Sequence, residues 1–60
     1  MKLECIREAI AEDGSKIMEY TKGKIYEATE SYDPPGWKVF DDNGKKEVFF
    51  DPFYLFKEVE

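Results

Sequence analysis

Asn43-Gly44 stands between two short runs of β-forming residues, Trp37-Lys38-Val39-Phe40 and Glu47-Val48-Phe49-Phe50. Both turn residues tolerate the positive φ of a type I′ turn, so the pattern predicts a tight hairpin. The strands fall at 37–41 and 46–50, with the turn at 42–45. Upstream, Lys24–Ser31 reads as another strand, opening after Gly23 and closing before Asp33-Pro34-Pro35-Gly36. Two prolines and a glycine in a row cannot continue a ladder and predict a loop. Pro52-Phe53-Tyr54-Leu55-Phe56 is too short for a stable helix. It predicts a single 3₁₀ turn leading into a final strand from Phe56 to Val59.

The N-terminus admits two readings. Leu3, Ile6 and Ile10 fall at helical spacing, and Gly14 could stop a short helix from Leu3 to Asp13. The alternative is a strand at 2–7 followed by a long, partly irregular loop through Tyr20. The second is favoured, because a five-stranded barrel needs a first strand and the rest of the chain supplies four.

The fold has to hold without staples. Cys5 is the only cysteine and there is no histidine, so no internal disulfide forms and the usual Cys/His zinc sets cannot be assembled. A chain of 60 residues makes one domain, 1–60, and depends on its core. One Trp, four Tyr and five Phe supply that core with apolar area. Alternation sends Val48 and Phe50 inward with Val39, Tyr26 and Ala28, and Leu55 or Phe56 completes the layer. The same reading leaves Phe49, Trp37 and Phe53 on the other face.

Net charge and residue types exclude several functions. At −5, with lysines scattered and Arg7 the one arginine, the chain is unsuited to neutralising phosphates, so no nucleic acid is expected as a partner. No apolar run approaches the ~18 residues of a membrane span, and Glu4 interrupts the start of any signal peptide. The single cysteine suits a reducing compartment, and the cytoplasm is expected. Cys5 sits near Glu4 and Glu8, which raise rather than lower a thiol's pKa, so it reads as a small buried hydrophobe. Asp41-Asp42 lacks the alternating ligands and distant Glu of a calcium loop and reads as a solvated turn. Glu27, Glu30, Glu58 and Glu60 fall at strand positions facing water. No catalytic residue, metal or cofactor is expected.

The order of these signals resembles an SH3 domain. Met18-Glu19-Tyr20-Thr21-Lys22-Gly23 is similar to the diverging turn, with Met18 and Tyr20 in its apolar slots. Trp37-Lys38-Val39 resembles the strand beginning at the tryptophan pair, the Asn43-Gly44 hairpin the distal loop, and Phe50–Phe56 the segment of proline, 3₁₀ turn and last strand. With Cys5-Ile6 and Lys22-Gly23-Lys24-Ile25-Tyr26-Glu27, the whole looks like small SH3-like proteins of bacteria and phages, mostly of unassigned function. The resemblance implies a five-stranded all-β barrel with a long N-terminal loop of RT type. It does not extend to the groove that binds Pro-rich peptides. In ungapped placement Arg7 and Ala9 stand at the two tyrosine positions, Gly36 at the groove tryptophan and Asp51 at the groove proline, while Tyr54 is kept; a one-residue bulge would bring Pro52 into register and move Tyr54 out of it.

Function is therefore expected from the aromatic surface. Trp37 and Phe49 are placed as a cross-strand pair opposite the core, and with Tyr54 and the flanking Phe53 they form the candidate contact surface. The expectation is a non-enzymatic protein-interaction module, self-associating or serving another protein. The alternative is an acidic, nucleic-acid-like inhibitor of a nucleic-acid-acting protein. The rival role for the rings is structural, under a loop from Arg7 to Tyr20 folded over them.

Overall fold

A computed structural model describes residues 1–59. Five strands form in chain order: β1 Lys2–Cys5, β2 Ile25–Tyr32, β3 Pro35–Phe40, β4 Lys46–Phe49 and β5 Phe56–Val59, with a 3₁₀ turn at Pro52–Tyr54 before the last. Every pairing is antiparallel and the order across the sheet is β4-β3-β2-β1-β5. A first strand forms where expected, though it ends at Cys5 rather than residue 7, a long loop follows it, and residues 3–13 are not helical. No helix among the described residues is long and apolar enough to cross a membrane.

β2 is the pivot of the sheet. Residues 25–27 pair with β1, and residues 28–32 pair with β3. One eight-residue strand thus serves two three-stranded halves, β5-β1-β2 and β2-β3-β4. Tyr26 and Ala28 are buried while Ile25, Glu27 and Thr29 are exposed, so alternation continues across the switch. The ladder between β4 and β5 is absent among the described residues, so the sheet is not closed by hydrogen bonds. The two edge strands approach through side chains, with the Phe49 and Phe56 rings 5.8 Å apart.

The core comprises Leu3, Cys5, Tyr20, Tyr26, Ala28, Val39, Leu55 and Phe56, with Met1, Ala9, Met18, Trp37 and Phe49 packed against it. Tyr20, Tyr26, Phe49 and Phe56 meet edge to face at 5.0–5.9 Å, the arrangement aromatic quadrupoles favour. The inward set expected for β4 is overturned. Phe50 is 85% exposed, Val48 is half-buried, and Phe49 takes the place at the core. Trp37 also lies on the core side, two residues from Val39, as a period of two requires.

The turn explains the reversal on β4. A two-residue type I′ turn at Asn43-Gly44 would set Val39 opposite Val48. Instead Gly44 N–H donates to the Asp41 carbonyl at 3.0 Å and Asp41 N–H to the Lys45 carbonyl at 3.0 Å, and Gly44 alone has positive φ, at 81°. This is a three-residue loop closed by a G1 bulge. It shifts the register by one, pairing Val39 with Glu47 and Trp37 with Phe49. A one-residue slip exchanges the two faces of a strand, so Phe49 turns in and Phe50 out.

A second departure lies at the prolines. The ladder runs through Ser31↔Gly36 and Tyr32↔Pro35, leaving only Asp33-Pro34 as the connection. Pro35 has no N–H to donate but tolerates the first position of a strand. Glu60, expected to face water, lies outside the described residues.

Candidate interaction surface

The chain from Phe49 to Phe56 alternates sharply between anchors and free rings. The Asp51 carboxylate accepts from the Phe53 N–H at 3.1 Å and caps the 3₁₀ turn, and Pro52 occupies its first position with its side chain buried. Leu55 N–H donates to the Pro52 carbonyl, and Leu55 and Phe56 enter the core. With Pro52 and Leu55 pinned, Phe53 and Tyr54 face out, 51% and 71% exposed. The Arg7 guanidinium stacks over the Tyr54 ring, 5.4 Å from its centroid. Arg7 is itself placed from below, since the buried Cys5 thiol donates to its carbonyl at 3.1 Å. Burial pushes the Cys5 thiol upward, against any nucleophilic role.

The four residues expected at the contact surface divide in two. Trp37 and Phe49 do pair across β3 and β4, but half-buried against the core rather than on the face opposite it. The end of the N-terminal loop covers part of this pair, with the Tyr20 ring 5.9 Å from that of Phe49. Phe53 and Tyr54 are the members left open, and the register slip adds Phe50 to them. Tyr32 and Phe40 are also exposed, at the far end of β2 and at the end of β3. Phe50 was legible only to a reading that counted three residues in the turn. Its identity carries no hint of its face.

A polar hub ties the long loop to the hairpin. Asp42 accepts from Lys24 Nζ at 2.9 Å, the Tyr26 hydroxyl at 2.7 Å and Thr21 Oγ1 at 2.7 Å, while its N–H donates to the Glu19 carbonyl. The Lys24 ammonium, then Thr21 and Tyr26, hold the Asp42 carboxyl well below the usual range. Burial raises the Tyr26 hydroxyl, which also accepts from the Thr21 N–H at 2.7 Å. All of these groups satisfy one another, so the hub reads as a clasp. Burial, with the Glu47 and Asp41 carboxylates beside it, holds the Tyr20 hydroxyl far above the usual range. Among the described residues no group of three or more Cys, Asp and Glu is arranged to hold a metal ion.

No family model, curated protein or solved structure matches this chain. Its functional reading rests on its own geometry.

Proposed function

We propose that this chain is a non-enzymatic protein-interaction module of SH3-like barrel type, working in a reducing compartment such as the cytoplasm. The observation that carries the proposal is the segment 50–54, where Phe50, Phe53 and Tyr54 all lie open within five positions of one another. Rings that serve only the core are turned inward, as Tyr20, Tyr26 and Phe56 are. Exposed aromatic clusters on a small domain are the usual anchors of protein contacts, because binding energy concentrates in a few such side chains. Trp37 and Phe49, half-buried against the core, leave only part of their surface to a partner.

The barrel reading is supported by the strand order, by the long loop between β1 and β2, and by the 3₁₀ turn before β5. In this reading closure comes from the Phe49 and Phe56 rings rather than from a β4–β5 ladder. The test is affinity capture from the source cell's lysate with the parent chain and with Phe50→Ala, Phe53→Ala and Tyr54→Ala. At least one substitution should abolish recovery of a partner while far-UV circular dichroism stays that of the parent. Equal recovery by all four chains would remove the surface from consideration.

A further inference from the structure

The hairpin leaves β4 at one edge of the sheet, and its hydrogen bonding determines which backbone groups are free there. Asp41 exchanges bonds with the bulge at Gly44 and Lys45. Antiparallel pairs alternate, so Val39↔Glu47 and Trp37↔Phe49 exchange bonds and the pairs between them do not. The N–H and C=O groups of Lys46 and Val48, and the N–H of Phe50, therefore point away from β3, toward the open side. We propose that this edge pairs, antiparallel, with the same edge of a second copy of the chain, with Val48 on the two-fold axis. The inference deepens the interaction-module reading and rests on it.

Charge selects both the edge and the register. Across the edge only residues with outward amides can exchange bonds, so even-numbered residues meet even-numbered ones. Centring the pair on Glu47 sets two carboxylates opposite each other. Centring it on Phe49 sets Glu47 opposite Asp51 of the second copy. Like charges directly opposite are destabilising. Centring on Val48 removes both conflicts: Glu47 faces Phe49, Lys46 faces Phe50, and Lys45 faces Asp51 with opposite charge. β4 ends at Phe49 and the chain bends at Phe50, beyond which Asp51 returns to an extended backbone, with φ −132° and ψ 97°. Phe50, left 85% exposed by the monomer, gains the Lys46 stem and ammonium as a cover.

β5, the other edge, lacks this option. Ile6 N–H bonds to the Leu55 carbonyl, so by the same alternation the amides of Phe56 and Glu58 face out. The registers through the middle of β5 set Lys57 against Lys57 or Glu58 against Glu58. One edge is guarded against its own kind and the other is not.

Sedimentation equilibrium and disulfide trapping test the proposal together. The parent should shift with concentration from 7.1 kDa to twice that mass. Directly opposed residues that exchange both bonds have Cα atoms about 5.5 Å apart, within reach of a disulfide. Val48→Cys should therefore cross-link to itself under mild oxidation. Lys46→Cys alone and Phe50→Cys alone should not, whereas their equimolar mixture should. Cys5 is fully buried and stays out of the reaction. Val48→Lys, which opposes two ammonium groups on the axis, should remain monomeric with the parent's circular dichroism. If that variant does not fold, the cysteine series still decides the register. A parent that stays monomeric up to about 1 mM overturns the proposal. So does preferential trapping of Glu47→Cys or Phe49→Cys. If that monomeric parent nonetheless loses a lysate partner on Tyr54→Ala, the second copy is ruled out and the interaction surface stands.

Discussion

Phe49 and Phe50 are neighbours with the same side chain, and the bulge at Gly44 gives them opposite duties. Phe49 packs edge to face with Tyr20 and Phe56, so Phe49→Ala should cost about 3 kcal/mol, as aromatic truncations in cores do. Phe50→Ala should cost less than about 0.5 kcal/mol, the range of surface substitutions. Urea denaturation of the two variants checks the register directly, and equal losses would refute it. Glu47 shows the cost of the same slip. Placed on the core side opposite Val39, its Oε1 is buried without a hydrogen-bond partner. Gly36 has a stricter role. Its φ is 145°, and a Cβ there would press into the Phe49 carbonyl across the strand pair, 2.8 Å from the carbon. Gly36→Ala should destabilise by more than about 1 kcal/mol, measured by the same denaturation. A neutral outcome would show that the two strands can separate there without loss.

Two segments that sequence separates widely use one turn design. The tip of the N-terminal loop repeats the 41–45 pattern, with Gly14 N–H donating to the Ala11 carbonyl and Ala11 N–H to the Ser15 carbonyl. Gly14 has φ 89°, and the Asp13 carboxylate braces the turn through the Ser15 N–H and hydroxyl. Asp13-Gly14 is thus a hairpin signal like Asn43-Gly44, although the flanking helical spacing of Leu3, Ile6 and Ile10 obscures it. The base of this loop is held by the Asp42 hub. Because the folded carboxyl lies below its unfolded value near 3.9, the clasp stabilises fully above about pH 4 and weakens as pH falls further. Asp42→Asn should therefore be less stable than the parent at neutral pH. The gap should narrow on acidification, followed by denaturant titration at a series of pH values. A gap that stays constant down to about pH 2 would show that Asp42 does not carry the clasp.

At the scale of the whole molecule, net charge and edge design govern what the domain meets. A charge of −5 and scattered lysines leave few phosphates that could be neutralised. Random duplex DNA at physiological salt should show no saturable shift in a gel at about 10 μM protein. A salt-sensitive shift would overturn that expectation. The two sheet edges differ in character. β5 alternates Lys57 and Glu58 beside the first strand, while β4 ends in Val48 and Phe49, with Phe50 just beyond it.

Much of the architecture was legible in residue order. Trp37–Phe40, Lys46–Phe49 and Ile25–Tyr32 announce strands by their β-branched and aromatic content, and Gly and Pro punctuate them. Pro52 announces the 3₁₀ turn, and the core positions Tyr26, Ala28 and Val39 follow from period-two alternation, while Leu55 and Phe56 are both buried where alternation admits only one of two neighbours. The face of β4 was not legible, because Asn-Gly is compatible with loops of two or three residues and only the packed ladder selects between them. Nor could composition say that the ladder would continue through Gly36 to Pro35, since that requires the neighbouring strand to be in place. Local propensity determined where the chain is extended. Tertiary packing, which buries Phe49 at the expense of an unpartnered Glu47 oxygen, decided which rings were left to face the solvent.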